Sequence, residues 1–150
     1  MLELLQGAYD LHVHPSPDVV PRRYTDLQLA KRYIAAGMKG FAIKSHQLPT
    51  PGRAALVKEV IPECNVIGTI TLNNAVGGLN PMAVEMAARM GAKIVWFPTI
   101  DSLNQEVFLN TSHAAAPYGA TADNKTLRME RISILQENGK LKPIVYDILD

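Results

Sequence analysis

Short apolar runs rich in β-branched and aromatic residues alternate with segments of helical character along the first two thirds of the chain. The apolar runs span residues 8–14, 40–46, 65–73 and 92–99. Between them, apolar side chains recur at the spacing of one helix face. This alternation predicts an α/β fold with a parallel sheet, in which crossover helices join strands that lie in the order 1-2-3-4.

Residues typical of helix ends support the three predicted crossover helices. Thr25 and Gln28 have the spacing of a capping box, and Gly37 supplies a left-handed end to the first helix. Thr50 and Asn80 are each followed directly by proline, which predicts an N-cap and a proline at the first helical position. The third helix also carries methionines, which we expect to pack in the core: Met82, Met86 and Met90.

The last third of the chain departs from this rhythm. Residues 101–126 are small and polar without a sustained period, and they predict a long loop of the kind found at functional faces. Residues 127–150 predict a small hairpin that turns at Asn138 and Gly139, followed by a helix that begins at Pro143. The apolar pattern of this helix is interrupted at Asp150, so we expect a single domain of residues 1–150 that is truncated.

Composition narrows the class of protein. Hydrophobic residues make up 47% and charged residues 19% of the 150 residues, with a net charge of +1, which is typical of a globular chain. Nothing in this balance favours binding to nucleic acid or to an anionic membrane. The single Cys64 excludes an internal disulfide, and no run approaches the length of a membrane span. We therefore expect a cytoplasmic protein.

Polar side chains end each of the four predicted strands. In parallel α/β folds the carboxyl ends of the strands form the active face, because loops and helix N-termini converge there. We therefore expect the polar residues at these ends to share one cleft that binds a small-molecule substrate. They are His12, His14, Lys44, Ser45, His46, Asn73, Asn74, Thr99 and Asp101.

A pair of histidines closes the first predicted strand. Residues i and i+2 of a strand point the same way, so His12 and His14 are predicted to project side by side. With His46 at the end of the second strand, they form a candidate site for a divalent metal, most readily zinc. Asp10 is predicted on the same strand face, where its carboxylate would orient a ligand histidine. Partly exposed histidines at a loop mouth are the alternative.

Further residues qualify as catalytic or substrate-binding groups. Lys44 stands in an apolar strand, where a charge is costly to bury unless it is used, so it is a candidate for binding a substrate carboxylate or, as a carbamate, for bridging metal ions. Asp101 is a candidate ligand or base. Arg53 lies in the first turn of a helix, where a cation opposes the macrodipole, so it is a candidate for binding an anion. Asn73 and Asn74 precede paired glycines that permit a tight loop around a ligand. A lysine that reaches the rim, a solvated arginine and an ordinary turn are the respective alternatives.

The stretch "DLHVHPSPD" resembles the end of strand one in the amidohydrolase superfamily. Together with "GFAIKSH", "LNNAVGGLNP" and "AKIVWFPTIDS", it is similar to a poorly characterised branch of metal-dependent hydrolases within that superfamily. The resemblance covers residues 8–102 best. It implies a (β/α)8 barrel with one or two metal ions at the carboxyl ends of its strands, and His12 and His14 as metal ligands. It also implies that a metal-activated water attacks an amide, ester or related bond.

The resemblance leaves part of such an enzyme unaccounted for. The fourth run ends in "WFPT" without the lysine or glutamate usual at that point, and four βα units make only part of a barrel. We therefore expect the N-terminal half of a metal-dependent hydrolase. The alternatives are a half-barrel module that binds a metal or an anion without catalysis, and a phosphoesterase of the PHP type. For the latter, "KSH" stands where an Asp-His pair is usual. A flavodoxin-like protein is disfavoured because no glycine-rich loop follows strand one.

An incomplete barrel has further consequences. It would expose both edges of its sheet and one face of its core. Ile70, Leu72, Val95 and Phe97 would then lose partners across the barrel. Because exposed apolar surface of that extent is normally buried by association, we expect a homo-oligomer.

Overall fold

A computed structural model describes residues 2–112 and 130–150 of the chain. It alternates strands and helices through its first part, after a short 3-10 turn at Leu2–Leu5. The elements in chain order are β1 (Tyr9–Val13), α1 (Asp26–Ala35), β2 (Gly40–Ile43), α2 (Pro51–Val60), β3 (Asn65–Thr71), α3 (Pro81–Arg89), β4 (Ala92–Trp96), α4 (Leu103–Ser112) and α5 (Pro143–Leu149). A second 3-10 turn, Asn74–Val76, follows β3.

The four strands form one parallel sheet in the order β1-β2-β3-β4. Gly40 pairs with Asn65 at one end of the β2–β3 ladder and Ile43 with Gly68 at the other. The predicted α/β class, strand positions and strand order are therefore confirmed. All carboxyl ends lie at the same edge of the sheet, which brings together the polar residues that follow each strand.

Two apolar cores lie on the same face of the sheet, and the helices that contribute to them pack against that face. Phe41 and Ile43 of β2 pack with Leu29 of α1 and Val57 of α2 in one core. In the second core, Ile70 and Leu72 pack with Ala87 of α3, and Ile148 of α5 lies against this group. Residues 66 and 70 of β3, which contribute to the two cores, are an even number apart and so share a face. Sequential strand order with crossovers on one face is typical of an arc of a (β/α) barrel.

Helix ends follow the sequence signals with one difference. Thr25 and Gln28 form both hydrogen bonds of the capping box, and Gly37 follows α1 with a φ of 79°. The Asn80 side chain accepts from the backbone N–H of Ala83, as a cap should. The Thr50 side chain does not cap α2. Its hydroxyl instead donates to the carbonyl of Ile43, because α2 starts directly above the buried sheet.

Gly68 sets how closely α2 approaches the sheet. A Cβ atom on this residue would lie 2.5 Å from the Cα of Pro51, a separation that real Cβ contacts do not reach. Only a residue without a side chain therefore lets the first turn of α2 rest on β3. This close approach fixes the loop between β2 and α2, which carries Ser45 and His46.

The prediction of a long loop over residues 101–126 is wrong for its first part. Residues 103–112 form α4, which begins after Ser102, whose hydroxyl accepts from the backbone N–H of Gln105. Residues 113–126, including His113, lie outside the described residues. The hairpin is confirmed by the antiparallel bridge between Leu135 and Leu141, and α5 begins at Pro143 as predicted.

Two expectations about packing are wrong. Met82, Met86 and Met90 are 66%, 44% and 63% exposed, because they form an i, i+4 stripe separate from Ala83, Val84 and Ala87, the residues of α3 that pack against the sheet. Ile70 and Leu72 are fully buried, since they face the helices and not the opposite side of the sheet. Phe97 also packs against this core, and Val95 is 37% exposed.

Among the helices that the structure describes, none has the length and apolar character needed to cross a bilayer.

Candidate active site at the carboxyl edge of the sheet

His12 and His14 lie side by side at the end of β1, as their spacing predicts. Their ring centres are 5.5 Å apart. The register of β1 against β2 shifts between Asp10 and Val13, so that β1 carries a bulge in the segment that includes His12. Val13 packs with the core beneath the helices, so His12 projects from the opposite face of the sheet.

Asp10 is separated from the histidine rings by the same bulge. Its Oδ1 accepts from the backbone N–H of His12 at 2.9 Å, and its Oδ2 accepts from the Tyr33 hydroxyl of α1 at 2.5 Å. The prediction that Asp10, His12 and His14 share one face is therefore wrong, because the extra residue of the bulge reverses the alternation. Asp10 holds the backbone of the bulge, and its carboxylate makes its hydrogen bonds among the described residues to the His12 backbone and to Tyr33.

His46 extends the pair of histidines into a row of three. Its ring stacks on that of His14, with centres 4.6 Å apart and planes inclined by 29°. Nδ1 of His46 lies 2.9 Å from Oγ1 of Thr99, the residue shortly after β4. The carboxyl ends of β1, β2 and β4 thus meet at one edge, as predicted.

Lys44 lies on the face of the sheet opposite the helices. Although only 3% of the residue is exposed, its Nζ makes two contacts. It is 3.1 Å from Nε2 of His12, and it lies 4.3 Å from the centre of the Trp96 ring. The ammonium donates to a neutral imidazole and rests over an aromatic face, an arrangement that offsets part of the cost of burying its charge.

Burial keeps the histidines of this edge neutral. Burial, followed in effect by the neighbouring His46 and Arg22, lowers the pKa of His14 to about 4. Burial, with Lys44 next in effect, also lowers the pKa of His46 to about 4. The pKa of His12 is lowered by burial and by Lys44, against an opposing effect of Asp10. At neutral pH the rings of His14 and His46 therefore offer lone pairs, which a metal ion or a proton donor requires.

Asn73 organises the edge from beneath. It is fully buried, its amide group donates to the carbonyl of His46 and to Oγ1 of Thr99, and its Oδ1 accepts from the backbone N–H of Thr99. A side chain so fully occupied positions its neighbours and has little capacity left for a substrate. Asn73 therefore lies at the predicted edge of the sheet. Its side chain is buried and holds His46 and Thr99 in place, whereas the sequence predicts a side chain that binds substrate.

Asn74 and Asp101 connect the loops after β3 and β4. The backbone N–H of Asn74 donates to Oδ2 of Asp101 at 2.9 Å, and its side chain donates to the carbonyl of Glu130. Asp101 is partly exposed and lies near Asn73 through its backbone. The two residues are thus brought to the predicted edge, where Asp101 retains a partly accessible carboxylate.

Arg53 has a different place from the one predicted. Its Nε and Nη2 donate to the two carboxylate oxygens of Asp26 at 2.8 Å each, and Nη2 also donates to the carbonyl of Pro15. This bidentate pair joins the first turns of α1 and α2 to the segment after β1. The unfavourable position of a cation in the first turn is thus offset by a carboxylate of the chain itself, and the geometry gives no support for binding a ligand anion.

Sequence reasoning missed Trp96 and Thr71 as members of the site. Trp96 lies 5.3 Å from the His12 ring between centres, and Thr71 is its partner in the β3–β4 register, so the two share a face. Strand alternation places both side chains on the same face of the sheet as Lys44. The sequence could have predicted this, but both residues stand in apolar runs, which are typical of core positions. Several buried polar atoms at or near this edge make no hydrogen bond among the described residues: His14 Nδ1, Gln47 Oε1, Thr71 Oγ1 and Trp96 Nε1.

The three histidines do not converge on one point. In residues 2–112 and 130–150 no group of three or more His, Cys, Asp or Glu side chains is arranged to hold a metal ion. Nε2 of His12 faces Lys44 and Nδ1 of His46 faces Thr99, whereas Nδ1 of His14 is buried without a partner. The donor atoms suit a divalent metal in their chemistry, and the rings of His12 and His46 would have to turn to reach a shared ion.

The family model for a family of unknown function, DUF6282, matches residues 7–150 of this chain. The chain belongs to this family. No curated protein and no solved structure matches it. The matched region contains all four strands and every residue of the edge described above. The assignment to the DUF6282 family therefore covers the candidate site without naming its activity.

Proposed function

We propose that the protein is a metal-dependent hydrolase of the amidohydrolase type, which acts on a small molecule at an amide, ester or related bond. The observation that carries the proposal is the row of His12, His14 and His46 at the carboxyl edge of a parallel sheet. In parallel α/β enzymes this edge is where catalytic residues gather. The resemblance of the histidine motif to the amidohydrolase superfamily supports the same reaction class.

The imidazoles of His12 and His14 are proposed to hold the metal ion, with His46 as a third ligand. Their neutral state supports this role, because a protonated imidazole cannot bind a metal. The buried, unpartnered Nδ1 of His14 supports it further, since such an atom usually has a partner in the functional state. Zinc is the ion proposed, because neutral imidazole is among its preferred ligands.

A bound divalent metal supplies the chemistry of activating water and polarising a carbonyl. Lys44 is proposed to bind a negatively charged group of the substrate, since its ammonium lies in a buried setting where charge is weakly screened. Asp101 is proposed as the base that holds a proton during the reaction. Its contact with the backbone N–H of Asn74 fixes the carboxylate at the edge of the site.

Metal binding by the purified full chain tests the proposal. We expect the chain, stripped with chelator and dialysed against zinc, to retain the metal and to hydrolyse a panel of small esters and amides only when zinc is present. A variant with both His12→Ala and His14→Ala should lose the metal and the activity. His113→Ala removes the one histidine of the chain that is not proposed as a ligand, and this variant is the matched control, which should keep both the metal and the activity.

Two outcomes would contradict the proposal. Zinc that the double variant retains in equal amount would show that His12 and His14 are not its ligands. Zinc bound through these histidines without hydrolysis of any substrate in the panel would contradict the catalytic part and favour a module that only binds metal.

A further inference from the structure

Lys44 is a buried cation without an acidic partner among the described residues. The ion pairs of residues 2–112 and 130–150 join Arg22 to Asp18, Arg53 to Asp26 and Arg89 to Glu85, and none of them includes Lys44. A buried ammonium is costly unless a negative charge or several hydrogen bonds compensate it. The imidazole of His12 and the ring of Trp96 supply part of this compensation and carry no formal negative charge.

Hydrogen-bond donors without partners lie on the same face of the sheet. Thr71 is 1% exposed, and its hydroxyl has no partner in the described part of the chain. Nε1 of Trp96, the register partner of Thr71, is likewise buried and unpaired. Unsatisfied buried donors in a native fold indicate a missing acceptor, which is a ligand or an ordered water. A cation with donors beside it calls for an anionic acceptor.

We infer that Lys44, Thr71 and Trp96 form a subsite for a carboxylate group of the substrate. This inference rests on the proposed function, and it deepens that function by naming the substrate class as amides or esters that carry a carboxylate. The subsite lies beside His12, so a bound carboxylate would place the rest of the molecule along the row of histidines.

The local charge favours a carboxylate over a phosphate. Arg22, a further cation whose charge acts on His14 and His46, is already paired with Asp18 at 2.8 Å. The contacts of Lys44 itself, to the imidazole of His12 and the ring of Trp96, bring it no negative charge. A single positive charge matches a monovalent carboxylate, whereas a phosphate dianion is usually met by several donors from arginines, lysines or a helix N-terminus.

The fluorescence of Trp96 gives a direct readout, because it is the one tryptophan of the chain and Lys44 lies over its ring. The full chain, freed of metal, is titrated with N-acetylglycine and with its neutral analogue N-acetylglycinamide. We expect a saturable change with the carboxylate and none with the neutral amide. Inorganic phosphate should bind more weakly than N-acetylglycine.

Lys44→Met removes the charge and should weaken the binding of N-acetylglycine by at least about tenfold, the usual worth of a charged hydrogen bond. Lys93→Met changes an exposed lysine of β4 in the same way and should leave binding unaltered. Thr71→Val keeps the shape of its side chain and should weaken binding by about threefold. If the Lys44→Met variant fails to fold, the Thr71→Val variant alone tests the subsite.

The inference is overturned if the neutral amide binds as well as the carboxylate, if phosphate binds more tightly, or if Lys44→Met and Thr71→Val leave binding unchanged. Because the titration is done without metal, these outcomes are independent of whether zinc binds to the histidines. A chain that binds the carboxylate and no zinc would refute the hydrolase and keep the subsite.

Discussion

The imidazole rings of His14 and His46 stack with their centres 4.6 Å apart, which joins the ends of β1 and β2. Protonation of either ring would place a charge in a partly buried position beside the other ring. Burial is accordingly the main cause that lowers the pKa of each of them to about 4. Protonation of either ring should therefore lower the stability of the fold, and this gives the first prediction.

Stability should fall as the pH is lowered from 6.5 towards 4. An unfolded histidine binds its proton near pH 6.5, whereas the folded rings resist protonation until about pH 4, so the unfolded state takes up more protons in between. After allowance for solvent screening, we expect each ring to cost about 1 kcal/mol between pH 7 and pH 5. Urea denaturation at several pH values measures this slope, and in His14→Asn/His46→Gln it should be much smaller. An equal slope in that variant would refute the prediction.

Asn73→Ala should destabilise the fold and disturb the candidate site together. It removes the buried amide that donates to His46 and accepts from Thr99, and leaves those groups unsatisfied. We expect a loss of about 2–3 kcal/mol in the free energy of unfolding. Asn104→Ala changes an exposed asparagine and should shift the same quantity by less than about 0.5 kcal/mol. Similar values for the two variants would show that the Asn73 network contributes little.

The Arg53–Asp26 pair is predicted to stabilise the fold and to have no direct part in binding. Its side chains are 18% and 9% exposed, so Arg53→Ala leaves a mostly buried carboxylate unpaired and should cost about 3 kcal/mol. The Arg89–Glu85 pair is 73% and 52% exposed, and Arg89→Ala should cost less than about 0.5 kcal/mol. Denaturation of both variants measures the difference. Loss of N-acetylglycine binding in a stably folded Arg53 variant would instead show that Arg53 takes part in substrate binding.

Gly68→Ala should be more destabilising than any substitution at an exposed glycine. The added methyl group would meet the backbone of Pro51 at 2.5 Å and push α2 away from the sheet. We expect a cost of about 2 kcal/mol, within the range for overpacking. Gly52→Ala, in the exposed first turn of α2, meets only the end of Met90 at 3.8 Å and should stabilise the helix by about 0.5 kcal/mol. Opposite signs in thermal denaturation would confirm the close approach.

Strand order and the position of the site followed from local patterns, because each strand is a short apolar run with polar residues at its carboxyl end. The place of Asp10 could not be predicted in this way. A bulge in β1 depends on pairing with β2, and one inserted residue reverses which side chains face the helices. The partner of Arg53 was equally hidden, since Asp26 lies on another helix and the pair forms only when α1 and α2 pack.

Other differences had signals that were present in the sequence. Ser102 and Gln105 have the spacing of a helix start, and α4 begins there. Its apolar residues form no continuous stripe, and Val107 and Phe108 are 53% and 54% exposed, so periodicity did not reveal the helix. The methionines of α3 show that regular spacing can also mislead, since their helical spacing belongs to an exposed face of the helix and not to the core. Association of the chain stays a prediction, which sedimentation can test.

X-ray absorption spectroscopy of the zinc-loaded full chain tests the metal site most directly, because it reports which atoms surround the ion. We predict a first shell of nitrogen and oxygen at about 2.0–2.1 Å with the outer-shell scattering of at least two imidazoles, and its loss in His12→Ala/His14→Ala. A sulfur at about 2.3 Å, which would place the ion at Cys64, or a zinc shell without imidazole scattering, would contradict the assignment of His12 and His14 as metal ligands.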